Sequence, residues 1–270
     1  MKLERFEVAG PAGRLAGATA GSASEGALPV VLVHGINMSS DVWMDVLERL
    51  AGRRRIVVFD LRGHGGSDRK GPFTAEDYAS DTLAVMDHLG IARAHVAGTS
   101  FGGAVACVLA AKVPARVASI AAFGSALAVE GIDVDGAVAA LRAADVRPFF
   151  AAFLPQASFA PGTDPQLIER ALDAASNDRD VETVVAVATT AFRTDSRAMA
   201  RTLRVPALVV TGELDATCPV AAGAEMARAL GVEHRVIPGR GHVLSMEDPD
   251  VVARLIEEHA ASHEREEVRA

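Results

Sequence analysis

Short, mostly apolar, β-rich runs alternate along the chain with longer segments whose apolar residues recur at helical spacing. Val30 to Val33 is the first such run, and it ends at His34-Gly35. Others follow at Arg55 to Phe59, His95 to Ala97, Val117 to Phe123, Ala207 to Val210 and Arg235 to Ile237. A strand that is apolar at successive positions is covered on both faces, as in a parallel sheet. Helical spacing fills the intervals at Val42 to Leu50, Ala75 to Leu89, Gly103 to Ala111, Val220 to Leu230 and Val251 to His259. Thr74 with Asp77 three residues on reads as a capping arrangement, and Gly90 as a helix stop. Leu3 to Val8 and Arg14 to Thr19 read as an opening pair of strands joined near Gly10-Pro11. Strands alternating with helices predict an α/β fold around a parallel, doubly wound sheet.

From about Leu127 to Leu203 the rhythm breaks, because helical spacing continues without a convincing strand. This stretch is expected to be a helical insertion, dividing the chain into a core of residues 1–126 and 204–270 and an inserted 127–203. With 270 residues, one large domain carrying an insertion suits the length better than two independent domains. Glu257 to Ala270 is a charged helix end or a frayed segment.

Composition narrows the function classes. A formal charge of -8 disfavours nucleic acid as a partner. Only Cys107 and Cys218 are present, without metal-ligand spacing, so neither a zinc site nor a disulfide framework is expected. The N-terminus carries acidic residues and no signal-peptide run, and no stretch of about 18 apolar residues occurs. A cytoplasmic protein without membrane contact, acting on a small molecule as monomer or homodimer, is the expectation.

The chemistry concentrates at Gly98-Thr99-Ser100-Phe101-Gly102-Gly103, directly after a strand and opening a helix. A serine on so sharp a turn needs small neighbours two positions either side, and the helix N-terminus places partial positive charge near a developing oxyanion. An N-capping serine in a glycine-rich turn is the bland alternative. A serine hydroxyl needs a general base, most often histidine. His242, in Gly239-Arg240-Gly241-His242 after the last strand, stands at the sheet edge where ligand-binding groups gather. His34 and His64 lie in glycine-bearing turns and read as hydrogen-bonding turn residues, whereas His88, His259 and His263 fall on helices as surface positions. The orienting carboxylate is Asp215 or its neighbour Glu213, both after the strand ending at Val210.

These residues resemble the α/β-hydrolase superfamily, in particular its lid-bearing esterases, enol-lactonases, cofactor-free perhydrolases and carbon-carbon bond hydrolases. The resemblance spans nearly the whole chain. It is carried by His34-Gly35-Ile36-Asn37, Asp60-Leu61-Arg62-Gly63-His64-Gly65-Gly66-Ser67, the turn around Ser100, Gly212-Glu213-Leu214-Asp215, and Gly241-His242 followed by Glu247 and Pro249. It implies the α/β-hydrolase fold, a mostly parallel eight-stranded sheet flanked by helices, with the insertion as a helical lid. It favours Asp215 over Glu213 and implies a Ser100, His242, Asp215 triad. The backbone N–H groups of Ile36 and Phe101 are implied as the oxyanion hole, with a structural role for Asp60 to Ser67. Serine at position 100 disfavours the epoxide hydrolases and haloalkane dehalogenases, which resemble one another in an aspartate there.

The implied reaction is hydrolysis of an ester or lactone through an acyl-enzyme, with no metal or organic cofactor. Phe149, Phe150, Phe153, Phe159 and Phe192 divide between packing the insertion and lining an apolar pocket above Ser100. Phe149, Phe153, Phe192 and Val243 are the substrate-binding candidates, and Trp43 is a packing residue. Carbon-carbon hydrolases of the group resemble one another in a tryptophan after the histidine, where this chain has Val243, and perhydrolases commonly have Met where it has Phe101. A ligand sensor that keeps the fold and acts through a partner protein is the alternative of another class.

Overall fold

The computed structural model describes residues 2–22 and 26–269, with side chains as far as Arg265. β1 (Leu3–Gly10) and β2 (Gly13–Ala20) form a hairpin, followed by β3 (Val30–Val33), a 3-10 turn (Ser40–Trp43) running into α1 (Met44–Leu50), β4 (Ile56–Phe59) and α2 (Ala75–His88). β5 (Ala94–Thr99), α3 (Phe101–Lys112) and β6 (Val117–Phe123) lead to five consecutive helices: α4 (Val134–Ala144), α5 (Val146–Ala157), α6 (Pro165–Ser176), α7 (Val181–Phe192) and α8 (Arg197–Ala200). β7 (Ala207–Gly212), α9 (Val220–Leu230), β8 (His234–Ile237), α10 (Leu244–Glu247) and α11 (Pro249–Arg269) complete the chain. Among the described residues the eight strands form one sheet in the order β1-β2-β4-β3-β5-β6-β7-β8. β2 runs antiparallel to both its neighbours, and every other pair from β4 to β8 is parallel.

The apolar runs explain this layering. β3, β4 and β6 are buried at every position, and successive side chains enter opposite cores. Val30 and Leu32 join α1 and α11 on one face, while Val31 and Val33 join α2, α3 and α9 on the other. At the start of α2 the Thr74 hydroxyl accepts the Asp77 N–H and the Asp77 carboxylate accepts the Thr74 N–H, a reciprocal cap.

Helices α4 to α8 lie between β6 and β7. Asp133, Asp164 and Asp180 each accept a first-turn N–H of α4, α6 and α7, which is why these helices start where they do. An isolated bridge between Ala128 and Asp195, with the Ser196 N–H donating to Leu127 O at 2.8 Å, joins the chain just after β6 to the chain just before α8.

Of the two readings of the C-terminal segment, a charged helix end and a frayed segment, the structure bears out the helix end, and one expectation about a histidine on it is corrected. Arg54 is buried and pairs with Glu257 at 2.7 Å and Glu264 at 2.8 Å. A buried guanidinium requires such partners, so the helix is docked at least as far as Glu264 and does not fray from Glu257. Ala270, where that segment was drawn to end, lies outside the described residues. His259 is not a surface residue, because its Nε2 is buried and burial pushes its pKa down to about 4. His88 is exposed. No helix among the described residues is long and apolar enough to cross a membrane.

Candidate active site

β5 ends at Thr99 and α3 begins at Phe101, so Ser100 alone makes the turn, at φ 54° and ψ -127°. Such a backbone costs a non-glycine residue roughly 1–3 kcal/mol and persists only where the surroundings enforce it. They do so here by contact. A Cβ at Gly98 would lie 2.2 Å from the Gly102 carbonyl carbon, and one at Gly35 would lie 2.7 Å from the Ser100 Cβ. The Ser100 N–H donates to Phe123 O at 2.9 Å. The Ser100 hydroxyl makes no capping bond to α3, so it is not spent on the helix end.

The loop from His34 to Met38 runs against the serine and is tied from below. His34 Nε2 accepts the Leu61 N–H at 2.9 Å, and His64 Nε2 accepts the Asn37 N–H at 3.0 Å. Their Nδ1 atoms face Gly35 O at 2.7 Å and Arg62 O at 3.0 Å. A ring that accepts at Nε2 and donates at Nδ1 is neutral with its proton on Nδ1. Burial agrees, lowering the His34 pKa and holding that of His64 well below the usual imidazole value. Asp60 accepts the Ser40 and Gly66 N–H groups, each at 2.8 Å, and Arg62 is held by Asp81 through two bonds of 2.6 Å.

On the opposite side of the site, His242 Nδ1 lies 2.9 Å from Asp215 Oδ2 and 3.0 Å from Oδ1. Asp215 Oδ1 also accepts the Thr217 N–H at 2.9 Å and the Cys218 N–H at 2.7 Å, which fixes the carboxylate's plane. Glu213 is exposed and accepts the Gly239 N–H instead. The end of α5 braces this pair of loops. Ser158 O accepts the His242 and Val243 N–H groups at 3.0 and 3.2 Å, and Ala157 O accepts from the Thr217 hydroxyl at 2.8 Å. Glu247 joins the same segments, accepting from the Ala160 N–H at 2.7 Å and the Gly241 N–H at 2.8 Å.

Ser100 and His242 line one cavity of about 540 Å³, together with Ile36, Phe101, Phe149, Phe153, Phe192 and Val243. Phe149 stacks on Phe153 at 6.0 Å between ring centroids. Phe150 lines the cavity too, whereas Phe159 and Trp43 are buried away from it. Among the described residues, Glu130 and Glu225 are the acidic residues that line it, and no lysine or arginine does. Among the described residues no three His, Cys, Asp or Glu side chains are gathered as a metal site.

Residues 29–249 match the alpha/beta hydrolase fold family. The chain belongs to that family. Over 246 residues this α/β-hydrolase is 34% identical to the dihydrolipoyllysine-residue acetyltransferase component of the acetoin cleaving system of Pseudomonas putida, covering 84% of this chain and 62% of that protein. The chain thus spans about three fifths of that relative's length. Among solved structures it is similar to the enol-lactonase from Burkholderia xenovorans, with a TM-score of 0.87, 26% identity, and coverage of 95% of this chain and 100% of that one. A thermophilic esterase from Thermogutta terrifontis gives 0.85 and 27%, covering 97% and 99%.

Several residues of this hydrolase-fold site carried no signal in the sequence. The Thr217 and Cys218 amides, the Ser158 carbonyl and Asp81 act through backbone groups or through distant pairing. Glu247 stood in a recognisable motif, but its partner Ala160 is 87 residues away. Arg179, whose Nη1 donates to Asn37 Oδ1 at 3.0 Å across 142 residues, was equally silent.

Proposed function

We propose that this α/β-hydrolase is a serine hydrolase that cleaves a carboxylic ester or lactone of a small, largely apolar substrate through an acyl-enzyme. The observation that carries the reading is the arrangement around the apolar cavity. A serine hydroxyl not used in capping and an imidazole held by a buried carboxylate open onto the same space. Asp215 holds the proton of His242 on Nδ1, leaving Nε2 as the base. His242 takes the Ser100 proton as Oγ attacks the substrate carbonyl, and the oxyanion forms beside the N–H groups of Ile36 and Phe101. His242 then returns the proton to the leaving alcohol. Water, deprotonated by the same imidazole, releases the acid and restores Ser100.

In this reading residues 127–203 act as a lid, with Phe149, Phe153, Phe192 and Val243 contacting the acyl or alcohol chain. The test is hydrolysis of a chain-length series of p-nitrophenyl esters, with several lactones, by wild type and Ser100→Ala in parallel. Wild type should show a chain-length optimum, and the variant should lose about 10⁴-fold or more in kcat. Equal turnover by the variant would remove Ser100 from the mechanism, and no turnover of any ester or lactone would move weight to carbon-carbon cleavage or ligand sensing.

A further inference from the structure

Arg179 is a site-adjacent cation whose surroundings among the described residues do not account for it. It lies in the turn between α6 and α7 and is buried. Its Nη1 donates to Asn37 Oδ1, while Nε and Nη2 are buried without a partner among the described residues. The adjacent carboxylate, Asp180, is used elsewhere, capping α7 through the Thr183 N–H at 2.8 Å and its hydroxyl at 2.6 Å. Burial lowers the Arg179 pKa to about 10, which still leaves the group charged at neutral pH. Leaving buried donors unmade is unfavourable, and a buried charge without a carboxylate more so. A side chain kept under those conditions for packing alone would be better replaced by an apolar one of similar length.

Its single bond points to the role. Asn37 lines the cavity next to Ile36 and holds φ at 54°, a left-handed conformation. Below, the Asn37 N–H is taken by His64; above, its side chain is taken by Arg179. The turn bearing Arg179 is itself constrained, since Asn177 and Asp178 are both left-handed and both carbonyls accept from Arg69, at 3.2 and 2.7 Å. A rigid turn of the insertion is thereby bonded to the loop that carries Ile36.

We propose that Arg179 is a positioning residue for oxyanion stabilisation: through Asn37 it fixes the backbone around Ile36, so that the Ile36 N–H meets the charge that develops on the carbonyl oxygen. The proposal rests on the ester-hydrolase reading above. Misplacing such a donor by a fraction of an ångström weakens binding of the transition state more than that of the substrate.

The experiment compares wild type, Arg179→Met, Arg179→Lys, Asn37→Ala and the Arg179→Met/Asn37→Ala double variant. Three readouts are taken: kcat and KM on the best p-nitrophenyl ester, the rate of Ser100 phosphorylation by diisopropyl fluorophosphate, and the thermal midpoint. Arg179→Met should lose about tenfold in kcat with KM within about twofold, and phosphorylation should slow in step. Its thermal midpoint should be equal to or above that of wild type. Arg179→Lys should recover most of the rate, and the double variant should fall no further than the worse single variant. An unchanged kcat in Arg179→Met, additive losses in the double variant, or a rate loss matched by a fall in thermal midpoint would each overturn the proposal while leaving the hydrolase reading intact. A wild type that neither turns over esters nor reacts with the fluorophosphate would overturn both.

Discussion

The two halves of the site are held by different means. On the Ser100 side the backbone is wedged, because Gly98 meets Gly102 and Gly35 meets Ser100 at distances that exclude a Cβ. On the Asp215–His242 side the loops are suspended, by hydrogen bonds that they donate to Ser158 O, Ala157 O and the Glu247 carboxylate. The wedged half belongs almost wholly to the core, with Arg179 as its reach into the insertion. The suspended half depends on the end of α5, which belongs to the insertion. Under the proposed mechanism, a nucleophile on a strained turn needs steric enclosure, whereas an imidazole that exchanges protons needs fixed orientation with room to act. Each half should therefore fail in its own way.

The largest expected effect comes from altering the suspended half chemically without unbuilding it. Asp215→Asn retains an oxygen for the Thr217 and Cys218 N–H groups, so the loop should stay folded. Its amide NH₂ then faces His242 Nδ1 and stabilises the wrong tautomer. We expect kcat to fall by roughly 10³–10⁴-fold with a thermal midpoint close to wild type. A fall of less than tenfold would remove Asp215 from the proposed triad.

Next in size is a blow to the wedged half. Gly98→Ala sets a methyl group 2.2 Å from main-chain atoms of Gly102, which cannot rotate away as a side chain would. Overpacking of this kind costs about 3 kcal/mol, to be read from urea denaturation, and activity should vanish together with stability. A variant as stable as wild type would show that the close approach is not needed.

These halves differ also in how far the sequence discloses them. The strands were legible because β3 and β4 are apolar throughout and β6 at every position but Ser119, and the run of helices α4 to α8 because helical spacing persists from Leu127 to Leu203 without a strand. The candidates Ser100, Asp215 and His242 could be picked out in the sequence because each follows an apolar strand in a glycine-bearing loop. The bracing of His242 was not, since Ser158 contributes only a carbonyl, a group that every residue owns. Arg54 and Glu264 lie 210 positions apart, and nothing local distinguishes them from surface charges, so the sequence could not decide between a charged helix end and a frayed segment. His259 was misplaced for the same reason: helical spacing identifies a face, not what packs against it.

A smaller effect should follow from loosening the suspended half. Glu247 is half-buried, and its two oxygens receive the Ala160 N–H, the Gly241 N–H and, at 3.2 Å, the Thr163 hydroxyl. Glu247→Gln keeps the shape but exchanges one acceptor for a donor, leaving a backbone N–H without its partner. Such a loss costs about 1–2 kcal/mol in stability, and kcat should drop several-fold as His242 gains freedom. If stability falls while kcat holds, the tie secures the insertion and not the base.

The smallest effect concerns the wedged half and pH. His34 and His64 must be neutral to accept the Leu61 and Asn37 N–H groups, and burial lowers both pKa values from the ordinary 6.5. A base whose pKa is lower folded than unfolded leaves the unfolded chain binding more protons between the two values. Its stabilisation is complete above about pH 6.5 and is lost as pH falls toward the folded value. Each ring can contribute at most about 1.4 kcal/mol per pH unit, so the step from pH 7 to pH 6 should lower stability by about 1 kcal/mol. His95, His234 and His259 are shifted the same way and add to the slope. His64→Gln isolates one contribution, because the amide oxygen can still accept the Asn37 N–H but does not titrate. Denaturation midpoints across this range should fall less steeply in the variant; slopes that coincide would show that the ring beneath the His34–Met38 loop is not held neutral by folding.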